Sequence, residues 1–180
     1  MQPKLRYAAL LIGICTWLIS GTNLSAQSSS PPWQWTTEMG SSLSFTGLNI
    51  HLSGVLRRGK HALVLGPKWV LSDSFLIQNG PWGWELAYRW YLLESQRLRS
   101  FARAGYQGAF LGRTVNRRQI RVHEVHAGYG LEFQLGPRLA LGNTLGLGWA
   151  IERSRDRGRD EVFGLDGFSV LGKVYLGWRW

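Results

Sequence analysis

Cysteine is almost absent from this chain. Cys15 is the only one, and it lies in an apolar stretch near the N-terminus, "YAALLIGICTWLI", residues 7–19. Acidic residues are scarce: 11 Asp and Glu stand against 21 Lys and Arg, for a formal net charge of +10. No second apolar run exists, and this one is short of the roughly 20 residues a spanning helix needs. From residue 33 onward a helical period is missing as well. If Cys15 leaves with the N-terminus, disulfides, thiolate metal sites and thiolate nucleophiles are excluded. No glycine loop of the phosphate-binding kind is present either; Gly142, Gly146 and Gly148 alternate with larger residues.

Lys4 and Arg6 precede the apolar stretch, and "SGTNLSA" follows it, with Leu24 and Ala26 at the positions a signal peptidase reads. This layout predicts a secretory signal over residues 1–26. A membrane anchor is the alternative. Ile14, directly before Cys15, does not suit a lipoprotein signal. Residues 27–32, "QSSSPP", read as a short flexible linker, and residues 33–180 as one domain. Cleavage removes two basic residues and no acidic one, which lowers the net charge from +10 to +8. In an exported chain this basicity does not point to nucleic acid.

What is present is a period of two, the mark of strands with two unlike faces. In "WGWELAYRWYLL" one face carries Trp82, Trp84, Leu86, Tyr88, Trp90 and Leu92, and the other Glu85, Ala87, Arg89 and Tyr91. In "FSVLGKVYLGWRW" Phe168, Val170, Val174, Leu176, Trp178 and Trp180 oppose Ser169, Lys173, Tyr175, Gly177 and Arg179. Five further segments follow the rule, around Leu48–Leu52, Leu63–Leu71, Ala102–Phe110, Val125–Leu135 and Leu139–Ile151. Strands of ten or more residues exceed the usual soluble length and match tilted membrane-spanning ones.

The connections alternate in length. Asp73–Pro81, Arg113–Arg121 and Arg153–Gly167 read as long, whereas Arg57–Lys60, Glu94–Leu98 and Gly136-Pro137 read as short. That asymmetry is a feature of outer-membrane barrels, whose strand number is even. Seven strands therefore require an eighth, and "WQWTTEMGSSLS" supplies it, with a tight turn expected at Thr46-Gly47; a bulge in one long strand is the alternative.

Periodicity alone does not say which face is outside, since a soluble barrel such as a lipocalin would show the same alternation with the faces exchanged. Three observations favour lipid. Aromatics form two bands: Trp69, Trp82, Trp84, Phe110, Trp149 and Phe168 at the long-loop end, and Trp33, Trp35, Trp90, Phe133, Trp178 and Trp180 at the other. The polar face is rich in Gly and Ala, as a narrow bore requires. The tail Val174, Leu176, Trp178, Trp180 resembles the C-terminal assembly signal of bacterial outer-membrane proteins. The domain as a whole resembles the small eight-stranded outer-membrane proteins of the OmpA-domain or OmpX type. That resemblance implies an all-β, antiparallel up-and-down transmembrane barrel, monomeric, handled by the outer-membrane assembly machinery.

The polar face would then place Lys68, Glu85, Arg89, Glu124, His126, Glu132 and Lys173 inside as a charged network, with Glu38, His51, Arg103 and Arg179 nearby. Buried charges must pair. The arginine-rich connections, with Arg113, Arg117, Arg118, Arg153, Arg155 and Arg157, suit lipopolysaccharide phosphates, which a guanidinium fork matches. The protein is expected to be non-catalytic and to need no cofactor or metal. Two rival readings remain. One is a soluble secreted ligand-binding barrel. The other is a lipid A-modifying enzyme, a hydrolase or transferase. Lipid A deacylases carry a His-x-Ser pair, and His51-Leu52-Ser53 has that spacing. His123 and His126, three apart on a strand, point to opposite faces and could share a metal only if the strand breaks there.

Overall fold

The computed structural model describes residues 32–71, 82–113, 119–155, 162–163 and 166–180. Residues 1–31, which hold the expected signal and most of the linker, lie outside this set. The strands are β1 (Gln34–Ser44), β2 (Gly47–Arg58), β3 (His61–Val70), β4 (Trp82–Glu94), β5 (Leu98–Arg113), β6 (Gln119–Gln134), β7 (Leu139–Arg155) and β8 (Asp166–Arg179). The two-residue piece Val162–Phe163 pairs with Arg155 and Ser154, extending the same β7 register that β8 follows.

Every strand runs antiparallel to its neighbour in sequence. β1 and β8 also pair, from Thr36 opposite Arg179 to Leu43 opposite Gly172. The sheet therefore closes as an eight-stranded up-and-down barrel with no free edge. Closure is what a sheet in hydrocarbon requires, because no water is present to satisfy an open ladder. The strands reach 10 to 17 residues, enough to cross a bilayer with tilt.

The two faces are inverted relative to a soluble protein. Leu145 is 71% exposed and Met39 65%, while Arg89, Glu85 and Lys68 are 0% exposed. Trp82, Trp84, Leu86, Tyr88, Trp90 and Leu92 all face out from β4, and Gly83, Glu85, Ala87, Arg89 and Tyr91 face in. An apolar exterior of this extent would aggregate in water and is stable against lipid. The lipocalin arrangement, with the apolar face inward, is not the one adopted.

β1 confirms the even strand count, with its turn one residue earlier than the sequence suggested. Phe45 and Thr46 form the turn, and Gly47 opens β2 opposite Ser44 with φ 88°. A two-residue hairpin couples even positions of β1 to odd positions of β2, which is why the apolar face changes parity there. Gly59 in the next turn has φ 56°; both angles suit a residue without Cβ.

Two of the connections expected to be long are partly strand. β5 continues to Arg113 and β6 begins at Gln119, with a register shift between Phe110 and Arg113. β7 continues to Arg155. Charged residues obscure the strand signal here, yet backbone pairing does not depend on the side chain that a rung carries. The third expected long connection, Asp73–Pro81, lies outside the described residues. The first connection at that same end is only the Phe45-Thr46 turn, so the length asymmetry does not extend to it.

Candidate functional site in the barrel bore

The inward positions bring together charges far apart in sequence. Glu38, Glu85, Glu124 and Glu132 face Arg57, Lys68, Arg89, Arg103 and Lys173, four acids and five bases, all buried. Desolvating one such charge costs several kcal/mol, so each needs a partner at hydrogen-bonding range. The partners form tiers along the bore.

Glu124 of β6 organises the tier below the first hairpin. It accepts from Ser44 Oγ at 3.0 Å, the Phe45 N–H at 3.1 Å, Thr46 Oγ1 at 3.2 Å and Ser169 Oγ at 2.9 Å. Lys68 Nζ lies 3.7 Å from the same carboxylate and donates to Gln107 Oε1 at 2.9 Å. His126 Nε2 lies 2.9 Å from Ser169 Oγ. Thr46 is buried, so the β1–β2 turn bends into the mouth and caps it.

Glu85 of β4 centres the next tier. Lys173 Nζ donates to both its oxygens, at 3.0 and 2.7 Å, and Arg103 Nη2 donates to Oε1 at 2.6 Å. His51 Nδ1 lies 2.9 Å from Oε2, and His51 Nε2 is hydrogen-bonded to Ser42 Oγ. Below it Arg89 grips Glu38 with both terminal nitrogens, at 2.5 and 2.7 Å, a bidentate fork. The Arg89 guanidinium also lies 4.8 Å from the ring centre of Phe101 and 4.7 Å from that of Tyr175. Glu132 closes the series, accepting from Arg99 Nη1 at 3.2 Å, Tyr91 Oη at 3.3 Å and Tyr175 Oη at 3.4 Å.

Glycine makes room for this packing. A Cβ on Gly142 would sit 2.1 Å from Tyr175 Cζ, and one on Gly130 would sit 2.2 Å from Phe101 Cζ. The large rings fill the bore only because the opposing strands are bare at those points.

Lys68, Glu85, Arg89, Glu124, His126, Glu132 and Lys173 are thus all found in the bore, and all have polar partners. Residues not counted in the expected charged network complete the tiers: Ser42, Thr46, Tyr91, Gln107, Ser169 and Tyr175. Their inward parity was the available signal; their partners depend on register. Arg153 is exposed and paired with Asp166 at 2.9 Å. Arg117, Arg118 and Arg157 lie outside the described residues, as do the side chains of Arg113 and Arg155. Leu176, Trp178 and Trp180 face outward.

The His-x-Ser spacing does not yield a pair. Ser53 Oγ has no hydrogen-bond partner among the described residues, and His51 turns instead to Ser42. Ser42, His51 and Glu85 follow the order nucleophile, base, acid, yet they are 2%, 1% and 0% exposed. Glu85 is moreover saturated by two cations. His126 is inside, whereas His123 is outside and bonded to Tyr106. Among the described residues no group of three His, Cys, Asp or Glu is placed to hold a metal.

An apolar exterior, two aromatic bands and a closed barrel filled by ion pairs define the class: this chain has the fold of a small bacterial outer-membrane β-barrel. Solved structures agree. The chain is similar to the N-terminal β-barrel domain of Pseudomonas aeruginosa OprF, at 12% identity over 84% of this chain and 100% of that one, with a TM-score of 0.57. It is similar to the outer membrane protein AlkL in DMPC bilayers, at 10% identity over 89% and 96%, TM-score 0.53. A de novo designed transmembrane β-barrel is also similar, at 12% identity over 86% and 100%, TM-score 0.51. At such identities the likeness is one of fold. No family model and no curated protein matches the sequence.

Proposed function

We propose that the protein is a non-catalytic, monomeric outer-membrane barrel with a structural or interaction role, its bore an ionic plug and its upper basic segments contacts for lipopolysaccharide phosphates. The observation that carries this reading is the bore itself. Four buried carboxylates and five buried cations occupy it, and the Ser42–His51–Glu85 constellation is sealed inside rather than open to acyl chains. Support for lipopolysaccharide contact comes from the outer face near the loop end. Arg121 and Arg153 are exposed there, and the Arg121 guanidinium lies over Phe110, 5.6 Å from its ring centre. An arginine beside an interfacial aromatic stands at headgroup level.

Two experiments test the two halves. Lipid A extracted from cells with and without the protein is compared by mass spectrometry; an unchanged acyl pattern is expected, and gain or loss of an acyl chain refutes the non-catalytic reading. The folded barrel is then titrated with lipopolysaccharide and with its dephosphorylated form. Phosphate-dependent binding weakened in the Arg121→Gln, Arg153→Gln double variant is expected; equal binding of both forms refutes the phosphate contact.

The rival enzymatic reading rests on one observation, the Ser42–His51–Glu85 order. It requires the bore to open, and the partners of Glu85 oppose that.

A further inference from the structure

The end of the barrel carrying the short turns is the more basic one among the described residues. Arg58, Lys60 and Arg97 stand around it, and Arg57, Arg99, Arg138 and Arg179 line its mouth, whereas Glu94 and Glu132 are the acidic side chains facing them. Glu38, the other carboxylate at the mouth, is engaged by Arg89.

A small cavity of about 20 Å³ opens here. That is room for roughly one water-sized atom group. Its walls include the four arginines together with Glu132, Tyr91 and Gln134. Two buried donors on these walls lack a hydrogen-bond partner among the described residues: Arg57 Nη1 and Arg99 Nε. The rest of each guanidinium is held in place. Arg57 donates Nε–H to the Gly59 carbonyl at 2.8 Å and Nη2 to Glu94 at 2.5 Å, and lies 4.1 Å from the Tyr91 ring centre. Arg99 is fixed by Glu132 at 3.2 Å, with its Nε 4.0 Å from Glu94 Oε2, beyond hydrogen-bonding distance. Among the described residues the Arg179 side chain reaches only the neutral Gln134 Oε1, at 3.3 Å. The mouth therefore holds preorganised, partly desolvated guanidinium donors in excess of its carboxylates, and an unmade bond by a buried charged donor is costly.

We propose that this mouth, periplasmic because outer-membrane barrels carry their short turns on that side, is an oxyanion site: a phosphate or carboxylate group enters between Arg138 and Arg179 and seats one oxygen in the cavity against Arg57 and Arg99. The chemistry fits a soluble periplasmic anion and the headgroup of an anionic lipid alike. It does not depend on the role proposed for the opposite end.

The test is a backbone NMR titration of the folded barrel in zwitterionic micelles, with inorganic phosphate and with acetate, followed by bilayer discs with and without phosphatidylglycerol. Saturable shifts at the amides of Arg57, Arg99, Arg138 and Gly177 on adding phosphate or acetate support a soluble anion. The same shifts only with phosphatidylglycerol support the site with a lipid headgroup as its ligand. Arg138 is exposed and makes no ion pair among the described residues, so Arg138→Gln is expected to leave the fold intact and to weaken binding by about tenfold, as loss of one charge-assisted hydrogen bond does. Linear, unsaturable shifts with every probe overturn the proposal. So does binding that Arg138→Gln and Arg179→Gln leave unchanged.

Discussion

The carboxylate of Glu124 accepts the backbone N–H of Phe45 at 3.1 Å, across 79 residues of sequence. One side chain on β6 thus fixes the turn between β1 and β2. Glu124→Ala would free that turn and leave Lys68 without its carboxylate. Removing one partner of a buried pair costs about 3–5 kcal/mol. Urea unfolding of the barrel in lipid vesicles is expected to show a loss of that order. Glu124→Gln, which keeps an acceptor, is expected to lose less.

Arg89 and Glu38 supply a cleaner separation of charge from packing. Arg89→Met alone strands a buried carboxylate and is expected to destabilise by roughly 3–5 kcal/mol. The double variant with Glu38→Gln removes both charges and is expected to recover much of that loss. A double-mutant cycle measures the coupling; additive single effects would show that the fork contributes little.

Gly142→Val tests the fit of the bore. The new Cβ would collide with the Tyr175 ring, which is itself held by Arg89 and Glu132. Overpacking of this kind costs typically about 1–3 kcal/mol. Gly146, where the nearest atom is 3.1 Å away, is expected to tolerate alanine with a smaller loss under the same unfolding assay.

Ser42 should be inert. Its hydroxyl is bonded to His51 but has no access for an acyl group. A fluorophosphonate probe is expected to leave the folded barrel unlabelled. Labelling of Ser42 that disappears in His51→Ala would show that the bore opens and that the triad works.

Trp180 ties the closing seam. Its N–H donates to the Trp35 carbonyl at 3.2 Å, and its indole N–H to Thr37 Oγ1 at 3.0 Å. Trp180→Ala is expected to slow folding into vesicles, read as delayed appearance of the compact heat-modifiable band, with less effect on the final yield.

The outline of the barrel was legible because lipid imposes a strict rule on alternate residues, and Trp82 through Leu92 obey it without exception. The bore was legible only as composition. That Lys173 and Glu85 meet depends on which rungs face each other around the ring, and a period of two carries no information about that. Ser42 was invisible for a different reason: serine on a strand bears no charge to demand a partner. The arginines of "GRTVNRRQIR" read as loop because charge masks alternation, although Arg113 and Arg121 stand on strand rungs.

The pairing of β1 with β8 also sets an order of events. Adjacent strands are joined by 2 to 11 residues, but the contact from Thr37 to Trp180 spans 143. Four doublings of loop length add only about 2.4 kcal/mol of closure entropy. An uncompleted arc in lipid, by contrast, exposes two whole strand ladders at several kcal/mol per unmet group. Partial barrels are therefore poor resting points, and the membrane acts as an editor of the pathway: insertion and ring closure must be nearly the same step, with β1 waiting for the last strand to arrive.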